Sequence, residues 1–111
     1  MFEGALARAR YCDEYLGTHG TTIGPLHGLP ISVKDSFNVK GYQTIMGYAA
    51  FASNAPATNN SGIVDILLKA GAVIIAKTNV PQTMMSADTE NNIFGRTLNP
   101  HKLSLTAGGS T

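Results

Sequence analysis

The first sixteen residues place apolar side chains at a helical period. Ala5, Ala9, Cys12 and Leu16 recur every three or four positions, which is the spacing of one face of an α-helix. Glycine commonly follows the last residue of a helix, because it adopts left-handed backbone angles without steric cost. The pattern therefore predicts a helix over residues 2–17 that ends at Gly17.

The stretch LPISVKD, residues 29–35, changes to a period of two. Ile31 and Val33 alternate with Ser32 and Lys34, as in a strand that is buried on one side. This pattern predicts a short strand whose last residues emerge at the edge or mouth of a sheet.

A second helix and a second strand follow in sequence. In SGIVDILLKAG, residues 61–71, Ser61 can cap a helix and Gly71 can follow its end. The next run, AVIIAKT at residues 72–78, is continuous and β-branched, as in a strand buried on both faces. The order strand, helix, strand predicts a parallel sheet with a right-handed crossover, and hence the α/β class.

The remaining segments are rich in Asn, Gly, Thr and Pro. We expect residues 38–60 to be irregular, with one short helical turn. Residues 79–111 are punctuated by Asn, Gly and Pro, so we expect mostly loop there, with one short helix around residues 83–87.

Composition narrows the possible functions. The chain has 111 residues, of which 43% are hydrophobic and only 14% charged, and its net charge is +1. It is long enough for one modest domain, and the low charge indicates a surface that other protein covers. The scattered Lys and Arg residues form no basic stripe, so we predict no nucleic-acid partner. No signal peptide and no transmembrane segment is predicted, and the expected location is cytoplasmic.

Three residues are candidates for chemistry. Lys34 ends a predicted strand, where partial desolvation would favour a neutral lysine that acts as a base; the alternative is a surface ion pair with Asp35. Ser110 follows two glycines, which permit unusual backbone geometry; the alternative is a flexible polar terminus. Ser86 lies in a loop at the carboxyl end of the predicted sheet, or is a simple turn serine.

The stretch GAVIIAKT, residues 71–78, has the outline of a phosphate-binding loop. Such a loop needs glycine directly before the lysine and a free run of backbone amides. Here Ala76 precedes Lys77 and the intervening residues are strand formers. The stretch therefore indicates a strand and not a nucleotide site.

Four motifs occur in one order along the chain. They are GPLHGLPISVKDSFNVKGYQT at 24–44, AGAVIIAKTNVPQTM at 70–84, FGRTLNP at 94–100 and GGST at 108–111. Together they resemble the amidase signature family of serine hydrolases, most closely its fungal acetamidase-type and fatty-acid-amide-hydrolase-like branch. The resemblance implies a mixed-sheet α/β/α domain, of which residues 1–111 would be a truncated N-terminal portion.

The resemblance also implies a role for individual residues. Family members hydrolyse carbon–nitrogen amide bonds with a Ser-cis-Ser-Lys triad. Lys34 corresponds to the lysine that acts as base and acid, and Ser110 to the bridging serine held in a cis peptide. Thr111 stands where the family has a further serine. Met84 and Ser86 correspond to a stretch that lines the acyl pocket, so we expect them to bind substrate, with Ser86 near the lysine.

The family's nucleophilic serine lies in a second Gly-Gly-Ser motif further along the domain. We therefore expect this chain to be inactive alone, to need the missing C-terminal half of the domain, and to act with it on a small-molecule amide. No metal or organic cofactor is implied, and Lys77→Ala is expected to leave the chemistry nearly unchanged. Two alternatives are a non-catalytic binding or scaffold module and a relative of the transfer-RNA-dependent amidotransferase subunit.

Overall fold

The computed structural model describes residues 1–110; Thr111, which the resemblance assigns to a family serine position, lies outside the described residues. These residues form two α-helices and three small sheets, and the predicted α/β class is confirmed. The elements are α1 (Phe2–His19), β1 (Pro30–Lys34), α2 (Gly62–Lys69), β2 (Val73–Thr78), β3 (Glu90–Asn91), β4 (Gly95–Arg96), β5 (Leu98–Asn99) and β6 (Lys102–Thr106), with 3-10 turns at Ala49–Phe51 and Gln82–Met84. None of the helices in these residues is long and apolar enough to span a bilayer.

Helix α1 extends beyond its predicted end. Gly17 lies inside the helix, and Gly20 ends it with φ of 65° and an N–H bond of 2.9 Å to the Leu16 carbonyl. The prediction of an end at Gly17 was wrong because either glycine could have ended the helix, and only Gly20 adopts the left-handed conformation.

The chain divides into two compact units. The first contains residues 1–33 and 61–76. Its core forms where Ala5 and Cys12 of α1 pack against Val73 of β2, with Ile23 and Ile75 at the margin. Of the apolar face that the helical spacing predicts, Ala5 and Cys12 are buried and Ala9 is partly buried, whereas Leu16 is exposed.

Strands β1 and β2 form a two-stranded sheet. The Val73 N–H bonds to the Leu29 carbonyl at 2.9 Å, and the Asp35 N–H bonds to the Thr78 carbonyl at 3.1 Å. The partners advance in the same direction along both strands, so the pair is parallel, as predicted. Only the first two residues of β2, Val73 and Ile74, are buried; the expectation of a strand buried throughout on both faces was wrong, because the sheet formed by the described residues has just two strands.

Helix α2 lies where the sequence predicts it. Ser61 is its N-cap residue, but the Ser61 side chain makes no capping bond to the helix amides. Gly71 follows the helix with φ of 97°, and a Cβ there would lie 2.7 Å from the His27 Cα. Glycine is required at this position both by the backbone angle and by the close approach of the loop.

The second unit contains residues 34–60 and the chain from residue 77 onward. The predicted short turn within 38–60 is the 3-10 turn at Ala49–Phe51. Most of the described chain after residue 79 is loop and turn, as predicted, but two short strand pairs were missed: β3 pairs antiparallel with β4, and β5 pairs antiparallel with β6. The predicted helix at 83–87 is also absent, because Thr83 and Met84 have φ of 62° and 56°, which a right-handed helix excludes.

Candidate active site

The centre of the candidate site is a contact between two of the predicted residues. Lys34 is the last residue of β1 and is partly buried, and its Nζ donates a hydrogen bond of 2.6 Å to Ser110 Oγ. The two residues are 76 positions apart in sequence. The peptide bond between Gly109 and Ser110 is cis. Folding of the second unit therefore brings together the lysine and the serine that sequence reasoning singled out separately.

The backbone before Ser110 is held by the segment around Thr89. Thr89 Oγ1 donates to the Gly108 carbonyl at 2.8 Å, and the Gly108 N–H donates to Thr106 Oγ1 at 3.1 Å. A Cβ on Gly109 would lie 2.5 Å from the Asp88 carbonyl oxygen. Because that neighbour is backbone, a side chain at Gly109 would push the Gly-Gly-Ser segment away from its support.

Asp88 is the charged member of this support. Its carboxylate accepts hydrogen bonds from Thr106 Oγ1 and from the Thr89 N–H, the latter at 2.8 Å, and pairs with Arg96 Nη2 at 2.7 Å. The Thr106 bond is the main cause that lowers the pKa of Asp88 below its ordinary 3.8; the Thr89 amide and Arg96 act in the same direction, and partial burial opposes them. The carboxylate is thus held ionised where it anchors the backbone before Ser110.

Ser86 lies beside this segment. The Ser86 hydroxyl is exposed and accepts the Asp88 N–H at 3.1 Å, while the Ser86 carbonyl would lie 2.6 Å from a Cβ on Gly109. An open cavity of about 340 Å³ has a mostly polar wall formed by Pro81, Gln82, Ser86, Asp88, Glu90, Asn91 and Asn92. Ser86 therefore lines a cavity next to the Gly-Gly-Ser segment, whereas Met84 is not among its wall residues; their roles in substrate binding stay predictions.

Asp35 does not pair with Lys34, although the two are adjacent in sequence. Its carboxylate lies 2.7 Å from Lys77 Nζ, and the two side chains are 13% and 10% exposed. The alternative reading of Lys34 as the surface ion-pair partner of Asp35 was therefore wrong. Sequence reasoning missed the Asp35–Lys77 pair because nothing in the local pattern links residues 42 positions apart across two strands.

The titratable groups do not suggest a metal centre. Among residues 1–110, His, Cys, Asp and Glu form no group of three or more that could hold a metal ion.

Comparisons with known proteins identify the family. A family model described as Amidase matches residues 1–111. This chain belongs to the amidase signature family. A protein of Curvularia clavata named as an amidase is 56% identical over 110 residues, which cover 99% of this chain and 20% of that protein. The acetamidase of Aspergillus oryzae is 51% identical over 109 residues, covering 98% of this chain and 20% of the relative.

A solved structure agrees with the sequence comparison. A fatty acid amide hydrolase has a TM-score of 0.92 and 42% identity, covering 99% of this chain and 19% of its own. The resemblance noted in the four sequence motifs is therefore confirmed at the level of family and fold. The chain spans about a fifth of the length of the relatives that it matches.

Proposed function

We propose that residues 1–111 form the lysine-bearing part of an amidase that hydrolyses carbon–nitrogen amide bonds in small molecules. The observation that carries the proposal is the 2.6 Å bond from Lys34 Nζ to Ser110 Oγ, in a chain of the amidase family. A lysine that hydrogen-bonds a serine can relay a proton. A serine nucleophile elsewhere in the domain needs such a relay, because its hydroxyl must lose a proton when it attacks. The names of the relatives, amidase and acetamidase, agree with this reaction class.

The mechanism follows from the donor and acceptor roles of the pair. In its neutral form, Lys34 takes the proton of Ser110 while Ser110 takes the proton of a serine nucleophile supplied by the rest of the family domain. That serine attacks the amide carbonyl, and the relay then returns a proton to the leaving amine. Water hydrolyses the resulting acyl-enzyme by the same relay. The proposal needs no metal and no organic cofactor.

The proposal divides the catalytic groups between two parts of the domain. Lys34 and Ser110 come from these 111 residues, and the nucleophile with its oxyanion-binding amides comes from the rest of the family domain, as the resemblance implies. The isolated chain is therefore expected to show no amide hydrolysis, because loss of the nucleophile typically lowers the rate about 10⁶-fold. A non-catalytic binding or scaffold role for the isolated chain is the alternative within this scheme.

The test is a graft into a relative that has the complete length. Residues 1–111 replace the aligned segment of the Aspergillus oryzae acetamidase, to which they are 51% identical. Ammonia release from acetamide is then measured for the graft and for its Lys34→Ala and Ser110→Ala variants. We expect an active graft in which either variant lowers kcat by at least about 10²-fold, the usual minimum for a general acid–base group.

The control is Lys69→Ala, which removes an exposed lysine from the last turn of α2. Its kcat is expected to equal that of the unmodified graft. A folded graft without activity, or one in which Lys34→Ala behaves like the Lys69→Ala control, would favour the binding or scaffold role instead.

A further inference from the structure

The carboxylate nearest to Lys34 in sequence is fully engaged elsewhere. Asp35 Oδ1 pairs with Lys77 Nζ at 2.7 Å. Asp35 Oδ2 accepts the N–H groups of Ile45 and Met46 at 3.1 and 2.8 Å. Both oxygens therefore have partners other than Lys34, and the Asp35 side chain is only 13% exposed.

The ammonium group of Lys77 also has a hydrogen-bond partner for each of its N–H donors. Besides the Asp35 carboxylate, its Nζ donates to the Gln43 carbonyl and to Thr44 Oγ1, each at 2.8 Å. A lysine ammonium has three N–H donors, and these three acceptors use all of them. A half-exposed pair would exchange partners with water readily, but Lys77 is only 10% exposed.

We propose that Lys77 is a positioning residue for the Lys34–Ser110 pair, because it holds the Asp35 carboxylate away from Lys34. The inference rests on the proposed function, in which Lys34 must be free to take a proton from Ser110. Without the Lys77 charge, a largely buried carboxylate would lack its counter-ion, with a flexible lysine at the adjoining position. Asp35 would then attract the Lys34 ammonium, favour its protonated form and weaken the bond to Ser110.

This proposal replaces the sequence-based expectation that Lys77→Ala leaves the chemistry unchanged. It also differs from a purely structural role, in which Asp35 and Lys77 together fix residues 43–46 and thereby support Lys34. In the structural role, removal of Asp35 or of Lys77 should change the reactivity of the Lys34 amine equally. In the proposed role, removal of the Lys77 cation lowers that reactivity, whereas removal of the Asp35 carboxylate does not.

The experiment measures the reactivity of the Lys34 amine in the 111-residue chain itself. A trace of acetic anhydride acetylates neutral amines, and peptide mass spectrometry gives the labelling of Lys34 relative to exposed Lys40 in the same sample. Lys77→Met should lower this ratio about tenfold or more, because the unpaired Asp35 carboxylate would attract the Lys34 ammonium and so reduce the amount of neutral amine that reacts. The double variant Asp35→Asn/Lys77→Met should label Lys34 within about twofold of the unmodified chain, and Asp35→Asn should label it no less than the unmodified chain, because the remaining Lys77 cation disfavours a second cation nearby.

Folding of each variant is followed by circular dichroism. Two results would overturn the proposal: an unchanged Lys34 ratio in folded Lys77→Met, or a ratio in Asp35→Asn as low as in Lys77→Met. If Lys77→Met does not fold, the double variant decides, because only the proposed role expects normal Lys34 labelling once both charges are gone. Labelling requires no turnover, so an inactive acetamidase graft would count against the proposed function and leave this result intact.

Discussion

One aspartate, Asp35, adjoins Lys34 in sequence, and another, Asp88, lies beside the segment that carries Ser110; their surroundings differ. Asp35 is 13% exposed and pairs with a lysine that is 10% exposed, whereas Asp88 is 30% exposed and pairs with an arginine that is 46% exposed. Both carboxylates also accept backbone N–H groups. The same kind of ion pair is therefore nearly excluded from water at Asp35 and well exposed to water at Asp88.

The difference in exposure decides what each aspartate contributes. Removal of one partner from a buried pair leaves a charge with neither water nor a counter-ion. Water and salt replace most of a lost exposed pair, so its removal costs little. We therefore expect the Asp35 pair to affect folding and the Asp88 pair to affect mainly the local placement of the Gly-Gly-Ser segment.

The largest effect is expected from Asp35→Ala. It leaves Lys77 and the N–H groups of Ile45 and Met46 without their acceptor. Urea unfolding should show a loss of about 3–5 kcal/mol in the free energy of unfolding, the usual cost of breaking a buried ion pair. Asp13→Ala, which removes an exposed aspartate of α1, is the matched control. If Asp35→Ala lowers the free energy of unfolding no more than Asp13→Ala does, the Asp35 pair does not stabilise the fold more than an exposed aspartate.

Gly109→Ala should act on the serine side alone. Its Cβ would overlap the backbone of Asp88 at 2.5 Å and of Ser86 at 2.6 Å, so the segment that carries Ser110 must shift. In the acetamidase graft we expect kcat to fall about 100-fold, the usual result of misplacing a catalytic group by about 1 Å. Gly62→Ala, where a Cβ meets nothing within 4 Å, should leave kcat unchanged. Equal activity of the two variants would show that the Asp88 support does not position Ser110.

The contribution of Asp88 is expected to depend on pH. Because its pKa is lowered in the folded chain, mainly by the Thr106 hydroxyl, it stabilises the fold above its ordinary value of 3.8. This contribution is lost as the pH falls below that value through the folded pKa. The stability difference between the unmodified chain and Asp88→Asn should therefore be constant near neutral pH and shrink in the acid range. A difference that grows on acidification would contradict the assigned direction.

The smallest change in the free energy of unfolding is expected at the end of α1, which contains neither Asp35 nor Asp88. Gly17 lies inside α1, and a Cβ there meets nothing within 4 Å. Gly17→Ala should raise the free energy of unfolding by up to about 1 kcal/mol through helix propensity. Gly20→Ala should lower it, since Gly20 has φ of 65°. If Gly20→Ala instead raises the free energy of unfolding, Gly20 does not have the left-handed conformation that ends α1.

Local patterns determined the elements that bury one apolar face. The helical spacing of Ala5 and Cys12 and the β-branched run at 72–78 are signals carried within a single helix or strand. The later strands were missed because β3, β4 and β5 have two residues each, too few for any period to appear. The five-residue β6, Lys102–Thr106, did alternate Leu with polar residues, and that signal could have been used.

Some residues of the candidate site could be predicted from the sequence, and others only from the structure. The sequence alone singled out Lys34 and Ser110, since the order of motifs around them resembles one family. Only the tertiary structure decided that Asp35 pairs with Lys77 and not with Lys34, and that Asp88, Thr89 and Thr106 hold the serine segment. Residues this far apart in sequence become partners because the fold brings their strands and loops together and because their charges are buried there. A local sequence pattern records neither the spatial proximity of distant segments nor the burial of their side chains.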